Sequence, residues 1–311
     1  MESSTIHHTD KPRPDKANEN PAIKRIAAVF GDIKFAHTVF ALPFALLSAH
    51  LAFLSIGGYR IDKLIAILIC MVTARTAAMS FNRYIDRDLD SINPRTVDRS
   101  IPSGRATPSD TISVVIVCCL IFIAACWYLG ILPLILSLPT IAFILSYSAS
   151  KRFTWLTHLW LGTALAIAPM GAWIAVTGGW SWEIAVLCFA VVCWVSGFDI
   201  IYSLQDIDFD KNHRVFSIPA TMGTGNALIF SRTVHSAGFL SFAVFGWLVG
   251  FNYPYWVALA LVGIVLIAEH SMVRKDDFSR VGVAFFTMNG IISVVLYLSV
   301  LVSSASGLGI Q

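Results

Sequence analysis

Nine predominantly apolar stretches recur along the chain and restrict its fold more than any other feature. They lie at residues 35–56, 64–81, 112–129, 131–148, 158–177, 183–202, 227–249, 254–271 and 281–303. A membrane-crossing helix needs about 20 apolar residues, and in hydrocarbon the backbone polar groups must be satisfied within the segment itself. We therefore predict an all-α, polytopic membrane protein whose nine transmembrane helices form a bundle.

The composition agrees with lipid as the solvent of most of the surface. Only 13% of the residues are charged, 56% are hydrophobic, and the mean hydropathy is +0.72. Soluble domains usually carry about 25% charged residues. The formal net charge of +3 gives no reason to expect a nucleic-acid partner. No feature of the sequence indicates a protein partner.

The N-terminal stretch differs from the rest of the chain. Residues 1–25 are polar and contain Pro and charges of both signs, without the apolar core of a signal peptide. We expect a disordered tail that becomes helical near Pro21. We assign residues 26–311 to one transmembrane domain, with a cap of loops at one end.

The distribution of Lys and Arg predicts the orientation. These residues cluster on the side of the N-terminus, whereas the opposite side carries only Arg60 and Lys63. Positively charged connections stay on the cytoplasmic side of a membrane. We therefore expect a cytoplasmic N-terminus in an inner membrane of the bacterial type. The long polar connections 82–111 and 203–226 then face the cytoplasm.

These two connections carry the same arrangement of aspartates. Three occur at alternate positions in each, and the second set lies 120 residues after the first: Asp86, Asp88 and Asp90, then Asp206, Asp208 and Asp210. A Ser-Ile-Pro sequence follows each set, at 100–102 and 217–219. A duplicated four-helix unit explains both matches, and such duplication places a shared site at the repeat interface.

Carboxylates at this spacing suit a hard cation. If each set continues the preceding helix, residues four apart share a face, which pairs Asp86 with Asp90 and Asp206 with Asp210. Like charges at this spacing repel unless a cation lies between them. Oxygen ligands without Cys or His are those that Mg²⁺ prefers. Asn82 extends the first face by one turn.

Two such clusters would form a site for a diphosphate leaving group. Bound cations stabilise the charge that develops as an allylic C–O bond breaks. Several basic side chains would supply donors for the phosphate oxygens: Arg95, Arg99, Arg105, Lys151 and Arg152. An apolar bundle would hold a long isoprenoid tail that arrives from the membrane lipid.

Other interpretations explain the sequence less well. Solvated charges at a helix end would explain a lone Asp, but not two matched sets. A transporter would need polar groups across the midplane of the membrane. Only two acids, Asp199 and Glu269, lie well inside the apolar stretches. A CDP-alcohol phosphotransferase would need a DGxxAR-type motif, which the sequence lacks. Arg75, inside the second stretch, either pairs with an acid or faces a cavity.

The motifs resemble those of a known family. The sequence from Asn82 to Asp90 looks like the first Asp-rich motif, NxxxDxxxD, of the UbiA family of intramembrane prenyltransferases. Residues 202–210 and 217–219 resemble the second motif and its downstream end. Tyr147 and Lys151 match a further pair that the family associates with the prenyl diphosphate. The resemblance covers nearly the whole chain after residue 25.

The resemblance implies Mg²⁺-dependent transfer of a polyprenyl group from its diphosphate to a ring carbon of an aromatic acid, in quinone biosynthesis. Residues 34–44 and 147–154 look most like the bacterial 4-hydroxybenzoate polyprenyltransferases, and 1,4-dihydroxy-6-naphthoate is the alternative acceptor. Ser100 and Phe216 depart from the family pattern. Phe216 occupies a position that is often basic or polar in the family, so the resemblance does not carry a phosphate or acceptor contact over to it.

The roles of individual residues follow from the motifs and the resemblance together. The expected metal ligands are Asn82, Asp86, Asp90, Asp206 and Asp210. The expected substrate-binding residues are Arg95, Arg99, Tyr147, Lys151, Arg152, Tyr202 and Ser217. The candidate catalytic residues are Asp199 and Asp208, either of which would assist the phenol or accept the ring proton.

Overall fold

The computed structural model describes residues 20–33, 40–274 and 277–306, and their regular structure is helical. Helices form because each apolar stretch satisfies its own backbone polar groups. They are α1 (Pro21–Gly31), α2 (Leu42–Ser55), α3 (Ile61–Ile92), α4 (Pro108–Leu129), α5 (Ile131–Ser150), α6 (Thr157–Thr177), α7 (Trp182–Ser203), α8 (Ile207–Asn212), α9 (Ile218–Val249), α10 (Tyr253–Met272), α11 (Val281–Val283) and α12 (Asn289–Ala305). A 3₁₀ turn at Leu204–Asp206 follows α7, and a π-helical turn at Ala284–Met288 precedes α12.

The predicted all-α membrane bundle is confirmed. Among the described residues, eight helical segments are long and apolar enough to cross a membrane, and α2 is a shorter apolar helix. Together they match the nine predicted spans. The predicted start of the first span, at residue 35, lies outside the described residues. The chain is therefore an integral membrane protein.

The bundle buries one apolar face of its helices and leaves another to lipid. Phe44, Leu187, Trp194 and Phe242 are fully buried in the main core, where α2, α7 and α9 meet α10 and α12. By contrast, large apolar side chains such as Leu120 are exposed along the outer surface. A soluble protein rarely exposes so many, and hydrocarbon explains them.

Aromatic side chains concentrate at the end of the bundle opposite the Asp-rich motifs. Trp127, Trp180, Trp182, Trp247 and Tyr253 are all exposed beside the short connections on that side. Amphipathic rings prefer the membrane–water interface. Exposed rings at these helix ends are typical of one boundary of a membrane-embedded region.

Glycine ends two of the helices, and proline lies either inside helices or in their first turns. Gly130 and Gly178 adopt positive φ and cap α4 and α6. Pro139 and Pro169 lie inside α5 and α6, where proline favours a kink. Pro43 and Pro133 lie in the first turns of α2 and α5. There the missing N–H has no intrahelical partner to lose.

The two long connections are more helical than predicted. Helix α3 continues without a break to Ile92 and thus carries the whole first motif, as the i, i+4 pairing required. The second motif does not continue α7, because the 3₁₀ turn at Leu204–Asp206 intervenes. A 3₁₀ turn has about 3.0 residues per turn. Asp206 and Asp210 therefore do not occupy one uninterrupted helical face.

Helix α1 begins at Pro21, with Asn20 as its N-cap, which agrees with a helical start near that residue. Residues 1–19, the expected disordered tail, lie outside the described residues. Two contacts fix α1 to the bundle. Arg25 pairs with Asp110 at 3.0 Å, and the Asp32 carboxylate accepts from the Ser100 N–H at 2.8 Å. The connection that follows the first motif is thereby tied down.

We expect Gly246→Ala to destabilise the bundle by about 1–3 kcal/mol, the usual cost of overpacking. A Cβ at Gly246 would lie 2.2 Å from the ring of Tyr255. The Tyr255 ring is buried and its hydroxyl donates to the Phe242 carbonyl at 2.7 Å, so the ring cannot shift to make room for the added methyl group. Thermal unfolding in detergent measures the loss. Gly282→Ala is the control, because a Cβ there meets nothing within 4 Å, and equal melting temperatures for both variants would contradict the packing.

Candidate active site

A cavity of about 820 Å³ opens inside the bundle. One part of its wall is charged or polar and contains Asn82, Arg83, Arg95, Arg99, Tyr147, Asp199 and Tyr202. The remainder is mostly apolar and includes Ile67, Met71, Phe122, Leu136, Ile144 and Leu165. Binding sites of this kind pair a large apolar surface with a few placed polar groups. The cavity therefore suits a ligand with an anionic head and an apolar tail.

The first Asp-rich motif lies at the charged end of the cavity, on the last turns of α3. Asp86 is buried and accepts from Lys151 at 2.5 Å and from Arg152 at 3.3 Å. Asn82 donates to the same carboxylate at 2.9 Å. Asp90, also buried, accepts from Arg99 at 2.7 Å. Four of the predicted site residues thus contact two of the aspartates that were expected to bind metal.

The donor set fits a hard divalent cation. The Oδ2 atom of Asp90 is buried and has no hydrogen-bond partner among the described residues. A buried carboxylate oxygen without a partner costs free energy, and a cation would use its lone pairs. The described residues contain no group of three or more His, Cys, Asp or Glu side chains placed as ligands. The fit therefore rests on the oxygen chemistry of the separate aspartates.

The two expected metal ligands of the second motif contact different partners. Asp206 forms a two-pronged ion pair with Arg95, whose Nε donates at 3.0 Å. Asp210 is buried and accepts from the Ser217 hydroxyl at 2.8 Å. Ser217 is also the N-cap of α9, so it ties Asp210 to that helix. Ser217 thus holds Asp210 in place, and it is not part of the cavity wall.

Arg95 joins the two motifs. It follows the first motif in sequence, pairs with Asp206 of the second, and donates to the Tyr202 hydroxyl at 3.0 Å. Partial burial opposes its charge, but Asp206 and Tyr202 outweigh that effect, and the pKa of the guanidinium lies above its ordinary value. The two halves of the sequence repeat therefore share one charged site.

The structure separates the two candidate catalytic acids. Asp199 lies in the cavity wall, on α7, the helix that precedes the second motif. Asp208 is exposed on α8 and is not part of the wall. Arg75 also lines the cavity, as one of the two alternatives left open by the sequence requires. The geometry thus favours Asp199 of the two acids for contact with a bound ligand.

Two residues at this site were not assigned from sequence. Arg83 is part of the cavity wall and donates to the side-chain oxygen Oδ1 of Asn82 at 2.9 Å. Its place inside the first motif was a usable signal. His158 lies 2.7 Å from the Asp199 carboxylate, measured from Nδ1 to Oδ2. These two are 41 residues apart in sequence, so no local pattern connects them.

Aromatic rings form part of the wall beside the polar groups. Phe40, Phe198, Tyr202 and Phe285 all line the cavity. The ring centroids of Phe198 and Phe285 are 5.3 Å apart, and those of Tyr202 and Phe285 are 4.2 Å apart. Ring faces carry negative electrostatic potential and attract cations. This wall can accommodate a developing positive charge next to the anion-binding groups.

The fold and the site together define an integral membrane protein built around a cavity for an amphipathic anion. The chain belongs to the UbiA prenyltransferase family, which matches residues 40–291, and it is thus a prenyltransferase. This confirms the family inferred from the two motifs.

Named relatives and solved structures agree with this assignment. The chain is 28% identical over 230 residues to a 4-hydroxybenzoate octaprenyltransferase of Yersinia pseudotuberculosis, covering 74% of this chain and 79% of the relative. It is 27% identical to one from Neisseria meningitidis, covering 68% and 75%. The apo structure of a UbiA homolog from Aeropyrum pernix superposes with a TM-score of 0.78 at 31% identity, covering 88% and 99%.

A second structural likeness extends the agreement in fold. A UbiA homolog from Archaeoglobus fulgidus bound to GPP and Mg²⁺ has a TM-score of 0.66 at 15% identity. The superposition covers 92% of this chain and all of the other. At this identity the likeness concerns the fold.

We expect Arg95→Gln to loosen the connection 93–107. The substitution removes the ion pair to Asp206, so tryptic cleavage after Arg99 and Arg105 should accelerate about 3- to 10-fold, as expected when a local opening becomes easier. Timed proteolysis with mass spectrometry measures the rate. Arg87→Gln is the matched control, because Arg87 contacts Tyr84 of its own helix. Unchanged cleavage in Arg95→Gln would show that the pair does not hold the connection.

Proposed function

We propose that this protein transfers a polyprenyl group from polyprenyl diphosphate to a ring carbon of an aromatic acid, with 4-hydroxybenzoate as the first candidate acceptor. The observation that carries the proposal is the cavity, in which basic groups beside two Asp-rich motifs adjoin an apolar compartment. Such a cavity complements a diphosphate head with a long hydrocarbon tail. The names of the Yersinia and Neisseria relatives support the acceptor.

The site faces the cytoplasm in this proposal, in an inner membrane of the bacterial type. The distribution of Lys and Arg supports that orientation, because the motif-bearing end of the bundle carries most of them. Both substrates would then be accessible, since the polar acceptor arrives from water and the prenyl diphosphate from the bilayer.

Mg²⁺ is the proposed cofactor, as it accompanies GPP in the Archaeoglobus homolog. Asn82, Asp86, Asp90, Asp206 and Asp210 would hold it. When bound, it neutralises charge on the diphosphate as the leaving group separates.

The basic residues of the site bind the diphosphate oxygens in this mechanism. Lys151, Arg99 and Arg95 each contact one of the expected metal-binding aspartates, so their charges lie where the leaving group would be. Arg152, whose side chain is partly exposed, also contacts Asp86. Tyr147, a further wall residue, adds a hydroxyl at the same end of the cavity. These groups stabilise the departing diphosphate, which takes both electrons of the C–O bond.

The aromatic wall acts on the other fragment. Loss of diphosphate leaves an allylic cation, and the faces of Phe198, Tyr202 and Phe285 can stabilise it. The surrounding apolar wall excludes water that would otherwise capture the cation. The ring carbon ortho to the phenol then forms the new C–C bond. Asp199 accepts a proton from the phenol or from the alkylated ring carbon, and loss of the proton on that carbon restores aromaticity.

Arg75 supplies the acceptor's counter-ion in the same scheme. It lies on α3 about two helical turns from Asn82 and lines the cavity. A guanidinium in a mostly apolar wall recognises a carboxylate well. Both 4-hydroxybenzoate and 1,4-dihydroxy-6-naphthoate carry one, so Arg75 explains the acid class of acceptor and does not choose between these two.

The reaction is tested with the purified protein in lipid, labelled polyprenyl diphosphates of several lengths, Mg²⁺ and each acceptor. We expect prenylated product that EDTA abolishes, and Asp90→Asn should lower the rate by about 100-fold or more, the scale for losing one preorganised charged group. Asp88→Asn is the control within the same motif, because the Asp88 side chain is 88% exposed. Absence of product with either acceptor from folded wild-type protein would refute the acceptor class.

We expect Arg75→Leu to raise the KM for the acceptor by about 10- to 100-fold, because a hydrogen bond to a charged partner is lost. Binding of the prenyl diphosphate should be unchanged. Arg75→Lys keeps a positive charge, so its KM for the acceptor should rise less than that of Arg75→Leu. Steady-state kinetics with 4-hydroxybenzoate and with phenol separate the carboxylate contribution. The assignment fails if the variant loses the same factor on phenol, which has no carboxylate.

A further inference from the structure

We propose that His158 is the positioning residue of Asp199: it fixes one oxygen of that carboxylate so that the other receives the proton from the acceptor. The proposal rests on the proposed function, in which Asp199 is the proton acceptor. It concerns a residue that no sequence motif of the site contains. The contacts around the two side chains carry it.

The hydrogen bonds of His158 assign its tautomer. Its Nε2 atom accepts from the backbone N–H of Ile218 at 3.3 Å. Since a backbone N–H can only donate, Nε2 carries no proton, and the proton of the neutral ring is on Nδ1. Nδ1 therefore donates to Oδ2 of Asp199 at 2.7 Å. A histidine bound at both nitrogens has a fixed orientation, and it passes that orientation to its carboxylate partner.

Burial distinguishes the two partners. The His158 side chain is 2% exposed, whereas that of Asp199 is 14% exposed and belongs to the cavity wall. The histidine thus lies behind the aspartate as seen from the cavity. A ligand in the cavity reaches Asp199 without touching His158, so His158 acts through Asp199 and is not itself a catalytic residue.

Close packing of α6 against α7 holds the pair in register. Gly162, one turn after His158, faces the Val192 carbonyl, and a Cβ there would lie 2.5 Å from that oxygen. The Ser196 hydroxyl lies within 3.1 Å of the His158 carbonyl and 2.6 Å of the Val192 carbonyl. Small residues allow membrane helices to approach closely. The backbone positions of both partners are therefore defined by the bundle.

The consequence for the reaction is a proton acceptor with one available oxygen. His158 occupies Oδ2 of Asp199 and keeps its own proton throughout. The proton released by the phenol or the ring goes to Oδ1, and Asp199 becomes a neutral acid that still accepts from Nδ1. Without His158 the carboxylate could rotate away from the acceptor. Small errors in placement of a reacting group lower rates strongly.

The test compares two substitutions at His158 in the full-length protein in lipid. The amide nitrogen of Asn takes the place of Nδ1, so His158→Asn keeps a donor for Asp199, whereas His158→Leu removes it. We expect His158→Leu to lower kcat by about 10- to 100-fold, the scale for losing an orienting partner. His158→Asn should recover most of that loss. Both variants lose the acceptor for Ile218, so a similar drop in melting temperature serves as their internal control.

A double-mutant cycle with Asp199→Asn separates positioning from general damage. In that background His158→Leu should have no further effect on kcat, and the Kd for labelled prenyl diphosphate should be the same in all variants. The proposal is overturned if His158→Leu costs the same factor with or without Asp199, or if a folded His158→Asn is as slow as His158→Leu. Full activity of Asp199→Asn alone would instead remove the proton-acceptor role, and failure of wild-type turnover would refute the proposed function itself.

Discussion

A carboxyl group that is buried at the end of a membrane bundle needs partners that compensate its charge. The charged site of this protein is organised around Asp86 and its partners. Its side chain is 2% exposed, and it is compensated by Lys151 from the end of α5. Removing one member of such a buried pair leaves the other uncompensated at high cost. The relative positions of α3 and α5 at the motif-bearing end therefore depend on this contact, as do the neighbouring contacts of Asn82 and Arg152.

The same principle links the two halves of the sequence. Arg95 pairs with Asp206 although 111 residues separate them, so the charges of one repeat are neutralised partly by the other. Asp210 is tied to the start of α9 through Ser217. The result is one charged site to which both halves of the sequence contribute. The apolar cavity begins where these charged groups end.

Much of the fold follows from local sequence because lipid restricts the choice so strongly. The apolar stretches predict the helices, Gly130 and Gly178 mark their ends, and the spacing of Asn82, Asp86 and Asp90 predicts one helical face. The differences lie at the ends of helices. The 3₁₀ turn at Leu204–Asp206 interrupts the expected continuation of α7, and the spacing of the aspartates does not report it. Hydropathy extends the first span back to residue 35, but α2 begins at Leu42, which places Pro43 in its first turn.

The sequence by itself determined the number and type of the spans, the end of the bundle that carries charge, and the oxygen chemistry of the site. These properties depend on composition and on short-range spacing. Only the tertiary structure decided that Asp199 rather than Asp208 lines the cavity, that Arg75 lines it too, and that His158 contacts Asp199. Periodicity fixes which residues share a helix face. The rotation of that face toward its neighbours is set by packing, such as the close approach of α6 and α7 at Gly162.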